Sequence, residues 1–140
     1  MRTLALDVGT KRIGVAMSDE LGITAQGLET IIVEPGKNCF EEIKKIVREF
    51  NIKEIVVGLP LNMNGTKGEK ADEVIKFVEE LKKNIENPIK LWDERLTTME
   101  AERMLLKSDI SRNKRKNVKD MLAAQLILQN YLTYRTDKNV

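Results

Sequence analysis

The sequence predicts a mixed α/β fold, in which one sheet of antiparallel and parallel strands carries helices on both faces. Two observations predict it. The first 33 residues contain three short segments rich in β-branched and apolar residues, which is typical of antiparallel strands joined by turns. From about residue 38 onward, segments with helical spacing alternate with apolar runs, which is the pattern of parallel strands connected by helices.

The antiparallel part is expected to contain three strands. Arg2 to Val8 and Ile13 to Ser18 form an opening hairpin, and Leu28 to Val33 supplies the third strand. Pro35-Gly36 then interrupts the chain.

The alternating part begins with an amphipathic helix at about 38–50. It is followed by a strand at Ile55 to Leu59, whose continuous apolar character suits a strand buried on both faces of a sheet. A turn-rich loop covers 60–68, a second helix runs over about 69–83, and Ile89 to Trp92 is the last predicted strand.

Two helices are predicted to complete the chain. Thr97 and Glu100 have the spacing of a capping box that opens a helix to about Lys107, and the final helix covers roughly 117–134. The resulting order, β-β-β-α-β-α-β-α-α, is the one used by the ribonuclease H-like fold. We therefore expect a single domain over residues 1–140, with the first strand in the centre, flanked by the second and the fourth.

Composition excludes several classes of function. Histidine is absent and Cys39 is the single cysteine, so Ser-His-Asp or Cys-His catalysis and an ordinary intrachain zinc site are excluded. Chemistry must then use carboxylates, lysine or a bound ion, and oxygen ligands select Mg²⁺ or Mn²⁺. One cysteine, no signal peptide and no apolar span long enough for a bilayer predict a cytoplasmic protein without a membrane partner.

Basic residues cluster shortly before the predicted final helix. The formal net charge is only +2, but 107–119 contains six basic residues against one acidic residue, Asp109. Such a cluster in a nearly neutral protein is typical either of an anion-binding surface or of a solvated face.

Asp7 stands in an otherwise apolar strand, Leu4 to Val8. Burial of an unpaired carboxylate is costly, so such an aspartate usually has a cation, a donor or a metal beside it. Gly9, two residues later, allows another backbone or a phosphate to approach closely. The pattern favours a metal-bound phosphate site, although an aspartate near a strand end can also hydrogen-bond the following turn.

Further acids stand where the predicted sheet would bring them towards Asp7. Asp93 and Glu94 follow the last predicted strand, and the spacing does not decide between them; Asp120 begins the final helix. Carboxylates that lie close together repel each other unless a divalent ion neutralises them, and such a cluster can bind Mg²⁺ for phosphoryl chemistry.

These acids also have ordinary structural explanations. With Asn117 as N-cap, Asp120 would occupy N3, where an acid stabilises the helix dipole. The segment Asp93 to Arg95 could form local ion pairs in a surface turn. Ala123-Ala124 favours the functional interpretation, because small residues allow the helix to approach the sheet closely.

Four segments carry a resemblance to a known family. They are Leu6 to Ala16, Val57 to Leu61, Trp92 to Thr98 and Lys116 to Ala124. In this order they resemble the YqgF/RuvX family of small bacterial proteins, described as pre-16S rRNA nucleases and as Holliday-junction-resolvase-like. The resemblance covers about residues 1 to 134. It implies a ribonuclease H-like fold and metal-dependent cleavage of phosphodiesters, with the 5′ end of pre-16S rRNA as the expected substrate.

The resemblance also implies a set of site residues. Asp7 matches the family's first-strand acid, Glu94 the acid after the last strand and Asp120 the acid in the final helix, so these three would be catalytic and bind Mg²⁺ or Mn²⁺. Nucleic-acid contacts are expected from the basic residues close to the acids and in the basic cluster, Lys11, Arg95, Lys114, Arg115, Lys116 and Lys119.

One departure concerns the fourth strand. Where junction resolvases carry a glutamate at its end, this chain has Gly58-Leu59-Pro60, and the acid appears one strand later. Three acidic side chains are few for two metal ions, so substrate phosphate and water would have to complete a two-metal site.

Other functions stay open at this point. A resolvase of branched DNA would use the same acids, as a homodimer presenting two sites, and the sequence does not decide between monomer and homodimer. A non-catalytic RNA-binding ribosome assembly factor would keep the fold and the basic surface. A nucleotide-dependent phosphotransferase also begins with Asp-x-Gly-Thr, but 140 residues cannot supply its two lobes.

Overall fold

The computed structural model describes residues 1–94 and 112–138, and in the second segment it describes the side chains of 119–135. The strands are β1 (Thr3–Val8), β2 (Arg12–Ser18), β3 (Ala25–Ile32), β4 (Glu54–Leu59) and β5 (Ile89–Asp93). The helices are α1 (Cys39–Glu49), α2 (Glu69–Asn84) and α3 (Arg112–Lys138). Arg95 and the helix predicted from Thr97 to Lys107 lie outside the described residues.

The five strands form one mixed sheet in the order β3-β2-β1-β4-β5. β1 pairs antiparallel with β2 and parallel with β4, and β4 pairs parallel with β5. The mixed α/β fold is thus confirmed, with β1 between β2 and β4 as expected. The carboxyl ends of β1, β4 and β5 meet at one edge of the sheet, which is where sites form in such folds.

The strand alternation divides the core between the two faces of the sheet. Leu4 and Leu6 belong to the apolar cluster that includes the buried residues of α1 and α2. Ala5 belongs to the second cluster, which includes the buried face of α3. Because successive side chains of a strand point to opposite faces, Asp7 shares the α3 face with Ala5.

α3 begins earlier than the sequence predicts, at Arg112 rather than near Asn117. The residues before Asn117 include Lys and Arg, which have high helix propensity, so the helix extends through the basic cluster. Asp120 therefore lies in the third turn and not at N3, and helix capping does not explain it. α3 is 27 residues long, yet neither it nor any other described helix is apolar enough to cross a membrane.

β3 also begins earlier than predicted, at Ala25 rather than Leu28. Gln26 and Gly27 pair with β2 beyond a register shift between Val15 and Ala16. β3 is an edge strand, and most of its side chains are exposed or half-buried. Its first half therefore lacks the apolar pattern by which a strand is predicted from the sequence.

A buried polar network fixes the carboxyl-terminal part of α3 to the opposite end of the sheet. Glu54 is 5% exposed, accepts hydrogen bonds from the Tyr131 hydroxyl at 3.1 Å and from the Thr3 hydroxyl at 3.0 Å, and pairs with the Arg135 guanidinium. A buried carboxylate is tolerated only when it is paired in this way. The network helps to set the position of α3, and hence of Asp120, across the sheet.

Candidate active site

Asp7 and Glu94 form a carboxyl pair at the carboxyl edge of the sheet. Asp7 lies near the end of β1, and Glu94 directly follows β5. The two side chains are hydrogen-bonded to each other, with Glu94 as the donor. The negative charge of Asp93, the alternative to Glu94, contributes to raising the pKa of Glu94. Glu94 is the residue that is hydrogen-bonded to Asp7.

Gly58 on β4 explains how an acid after β5 reaches across the neighbouring strand to β1. A Cβ atom at Gly58 would lie 2.4 Å from Glu94 Oε1 and 2.6 Å from Ile127 Cδ1. The Glu94 carboxyl thus fills the space that a side chain on β4 would occupy. Glu94 can therefore reach Asp7 only because β4 carries a glycine, and not an acid, at this position.

Asp120 is brought to the same region by a close contact between α3 and β2. Gly14 is the cross-strand partner of Asp7, and a Cβ atom at Gly14 would lie 2.0 Å from the Asp120 carbonyl oxygen. Only glycine permits this approach of helix backbone to strand backbone. The negative charge of Asp120 accordingly acts on the Asp7 carboxyl and raises its pKa.

The Asp120 carboxylate is paired with Arg12, a residue that the sequence interpretation missed. Arg12 Nε donates a hydrogen bond of 2.9 Å to Asp120 Oδ2. The tight turn between β1 and β2 sets this position, because the Gly9 N–H donates to the Arg12 carbonyl oxygen at 2.9 Å. A Cβ at Gly9 would lie 2.8 Å from that oxygen, so the approach that Gly9 permits is one of backbone to backbone.

Lys70 is a second cation that the sequence interpretation missed. It lies in the first turn of α2, and its charge lowers the pKa of both Asp7 and Glu94. The Lys70 side chain is exposed, so it can meet a ligand arriving from solvent. Lys70 follows a turn-rich loop and is one of several lysines on α2. The sequence therefore contains no sign that this lysine, rather than another, lies near the acids.

Burial dominates the electrostatics of the carboxyl pair. Desolvation, the charge of Asp7 and the hydrogen bond to Asp7 together raise the pKa of Glu94 to about 8. Desolvation also raises the pKa of Asp7, against the lowering effects of the Glu94 hydrogen bond and of Lys70. With its pKa raised to about 8, Glu94 is mostly protonated at neutral pH and donates its proton to the Asp7 carboxyl.

The raised pKa of Glu94 predicts that the metal-free protein loses stability as pH rises. The carboxyl has an ordinary pKa of 4.5 and a pKa of about 8 in the folded protein, so the folded state binds more protons between these values. The contribution is constant below the lower pKa. It declines through the interval between the two pKa values, by about 1 kcal/mol or more in the free energy of unfolding.

Urea unfolding in EDTA at about pH 5 and about pH 8.5 measures this effect when the wild type is compared with Glu94→Gln. Glutamine keeps an N–H donor facing Asp7 but does not ionise. We expect the variant to lose this part of the pH dependence and to exceed the wild type in stability at the higher pH. Equal pH dependence in both proteins would contradict the assignment of the proton to Glu94.

The three predicted acids converge only partly. Asp7 and Glu94 are in contact, whereas Asp120 is close but engaged by Arg12. Accordingly, no group of three or more His, Cys, Asp or Glu side chains within residues 1–94 and 119–135 is arranged to hold a metal ion. The donor set nevertheless fits Mg²⁺ or Mn²⁺, because two half-buried carboxyl groups supply hard oxygen ligands, and a bound cation would displace the Glu94 proton to solvent.

The predicted basic contacts are described only in part. Lys11 and Lys119 are exposed, beside Arg12 and Asp120 respectively. The side chains of Lys114, Arg115 and Lys116 lie outside the described residues, although their backbone forms the start of α3. Arg95 is outside the described residues altogether. The roles of these residues therefore stay predictions.

The chain is similar to a known protein family over nearly its whole length. The family model of RuvX, described as a Holliday junction resolvase, matches residues 1–134. A relative from Thermoanaerobacter pseudethanolicus, named "Putative pre-16S rRNA nuclease", is 57% identical over 139 residues, which cover 99% of this chain and 100% of the relative.

Two solved structures share the fold. The RuvC structure of Thermus thermophilus has a TM-score of 0.60 and 13% identity, and the match covers 97% of this chain and 98% of that one. The Fowlpox virus resolvase, solved in complex with Holliday junction DNA, has a TM-score of 0.56 and 13% identity, over 96% and 99% of the two chains. At such low identity these likenesses establish the ribonuclease H-like fold.

Proposed function

The chain belongs to the RuvX family, and from this premise we propose that it is a metal-dependent nuclease that processes the 5′ end of pre-16S rRNA. One observation carries the proposal. The hydrogen-bonded pair of Asp7 and Glu94 lies at the sheet edge where the parallel strands end, with the charge of Asp120 beside it. A half-buried acidic pair of this kind costs stability unless a proton or a cation neutralises it, and such pairs are typical of sites that bind a cation or a substrate.

Asp7 and Glu94 would hold the ion, and Asp120 would join them once its carboxylate leaves Arg12. A bound Mg²⁺ supplies a nucleophilic water at neutral pH and neutralises charge on the leaving oxygen. Glu94 would release its proton to solvent when an ion is bound. The backbones of β1 and β5 would keep the two carboxyl groups in place for an in-line displacement.

Cationic side chains around the pair would hold the nucleic-acid backbone. Lys70 and Lys11 are exposed near the acids, and Lys119 is exposed on α3 beside Asp120. The basic residues earlier in α3 would extend this surface along the helix. Contacts of this type give sequence-independent and salt-sensitive affinity, so RNA shape would have to set the cleavage position.

RNA is favoured over branched DNA because of the closeness of the relatives. The relative named as a pre-16S rRNA nuclease is 57% identical over nearly all of both chains, whereas the resolvase structures are 13% identical. The arrangement of acids also differs from that of junction resolvases, which carry a glutamate at the end of the fourth strand. Here Gly58 stands near the end of β4, and the Glu94 carboxyl fills the space above it.

Cleavage of two labelled substrates tests the proposal. A fragment spanning the 5′ end of 16S rRNA in its precursor and a four-way DNA junction are incubated with the protein in Mg²⁺, in Mn²⁺ and in EDTA. We expect cleavage of the RNA fragment in either metal and none in EDTA. Cleavage of the junction alone would replace the RNA assignment with junction resolution, and cleavage in EDTA would contradict the role of a metal.

Gly58→Ala is expected to lower the cleavage rate by about 10- to 100-fold with a small effect on stability. The new methyl group would overlap Glu94 Oε1 and Ile127 Cδ1, which are ends of side chains that can move away, so the fold survives while the Glu94 carboxyl is displaced. Single-turnover cleavage and thermal unfolding measure the two effects.

Gly27→Ala is the matched control for Gly58→Ala. Its Cβ would make a contact of 3.4 Å with Met121 Cβ on the same face of the sheet. We expect this control to keep the wild-type rate. If Gly58→Ala cleaved as fast as Gly27→Ala, the position of Glu94 above Gly58 would not matter for the reaction.

A further inference from the structure

Arg12 lies in the site but has no role in the proposed reaction as described so far. Its Nε–H donates to Asp120 Oδ2 at 2.9 Å, and within the described part of the chain its side chain makes no other hydrogen bond. The side chains of Arg12 and Asp120 are 34% and 25% exposed, so a ligand can reach the pair from solvent. A guanidinium has five N–H donors and binds phosphate in a bidentate manner.

Asp120 is the third acid of the site, yet in this structure its carboxylate is committed to Arg12. A Cβ atom at Gly14, the cross-strand partner of Asp7, would lie 2.0 Å from the Asp120 carbonyl oxygen, so the two acids are near neighbours. The described acids nonetheless fall short of a group of three that could hold an ion. The Asp120 carboxylate is paired with Arg12, and a carboxylate that binds an arginine is a poor ligand for a cation.

We propose that Arg12 changes partner when nucleic acid binds: it neutralises Asp120 in the free protein and moves to a backbone phosphate, which releases Asp120 to the metal. The inference rests on the proposed function, since it requires both a nucleic-acid ligand and a metal at Asp7 and Glu94. It assigns Arg12 as a residue that contacts the substrate and couples substrate binding to completion of the metal site.

The local backbone permits this exchange without a change of fold. The Gly9 N–H to Arg12 carbonyl bond and the Val33 N–H to Lys11 carbonyl bond, both 2.9 Å, fix the main chain around Arg12. Only the side chain has to rotate. By linkage, a phosphate that takes Arg12 strengthens metal binding, and a metal that takes Asp120 strengthens nucleic-acid binding by the same factor.

A double-mutant cycle on metal affinity provides the first test. Mn²⁺ binding is measured by electron paramagnetic resonance in the absence of nucleic acid for the wild type, Arg12→Gln, Asp120→Asn and the double variant. We expect Arg12→Gln to bind Mn²⁺ about fivefold more tightly than the wild type, because Asp120 is released. In the Asp120→Asn background the same substitution should give no gain.

The same four proteins provide a second readout with no metal present. Fluorescence anisotropy in EDTA measures binding of a labelled RNA fragment that spans the 5′ end of 16S rRNA. Asp120→Asn should bind the RNA about fivefold more tightly than the wild type, because Arg12 is no longer held back. The double variant should bind no more tightly than Arg12→Gln. Asp120→Asn alone keeps this test decisive if Arg12→Gln fails to fold.

Lys11→Gln is the control for general electrostatics, since it removes an exposed positive charge next to Arg12. We expect it to change Mn²⁺ affinity by less than about twofold. Gains from Arg12→Gln that are equal in both backgrounds, or that Lys11→Gln reproduces, would overturn the exchange, as would unchanged Mn²⁺ affinity with lowered thermal stability. Because these readouts involve no cleavage, failure of the exchange is distinguishable from failure of the wild type to cut RNA.

Discussion

Asp7→Asn is expected to reduce cleavage by about 10³-fold or more while the protein stays folded and still binds nucleic acid. Asp7 is the acid on the central strand, and Asn removes the negative charge that a divalent ion needs while it preserves shape. Burial raises the pKa of this carboxyl, which means that the fold disfavours its charged form. The uncharged asparagine should therefore not lower the stability of the protein. Single-turnover cleavage, RNA anisotropy and thermal unfolding measure the three properties.

Asp72→Asn is the matched control for Asp7→Asn, because it removes an exposed acid from the first turn of α2. We expect the control to cleave at the wild-type rate, and Asp7→Asn to bind RNA within about threefold of the wild type. Undiminished cleavage by Asp7→Asn would exclude the acid pair as the catalytic site. If neither the wild type nor the variant cleaved and both bound RNA equally, a non-catalytic assembly factor would be favoured.

Gly14→Ala is expected to lower the free energy of unfolding by about 3 kcal/mol or more. Its Cβ would lie 2.0 Å from the Asp120 carbonyl oxygen, which is part of the helix backbone and cannot rotate away. α3 would have to move off β2, and Asp120 would leave the neighbourhood of Asp7 with it. Urea unfolding gives the loss of stability, and the cleavage rate should fall even where the variant remains folded.

Gly27→Ala serves as the control here as well. Gly27 lies beneath the same helix, but the added methyl group would only contact Met121 Cβ at 3.4 Å. We expect its free energy of unfolding to stay within about 1 kcal/mol of the wild type. Similar stabilities for Gly14→Ala and Gly27→Ala would mean that α3 does not approach β2 through Gly14.

The strands and their succession along the chain could be predicted because the apolar patterns that mark them are local and strong. A continuous apolar run at Ile55 to Leu59 indicated a strand buried on both faces, and β4 is buried throughout. The start of α3 was wrong because Asn117 resembles an N-cap, whereas the preceding basic residues have high helix propensity and extend the helix to Arg112. The true start matters, since it removes helix capping as the explanation for Asp120.

The acids of the site could be proposed from the sequence, but their arrangement could not. Nothing in the order of residues reveals that Glu94 occupies the space above Gly58, because this depends on the parallel register of β4 and β5. The pairing of Arg12 with Asp120 joins residues 108 positions apart and was equally hidden. A basic residue next to a glycine turn carries no signal of its partner until the helix has been placed.

The central claim is that Asp7 and Glu94 hold a divalent ion, and anomalous diffraction from crystals soaked in Mn²⁺ tests it most directly. We predict one strong peak about 2.0–2.3 Å from a carboxylate oxygen of Asp7 and from one of Glu94, which disappears in crystals of Asp7→Asn. A peak bound to other residues, or no peak at Mn²⁺ concentrations that support cleavage, would contradict the assignment of this acid pair as the metal site.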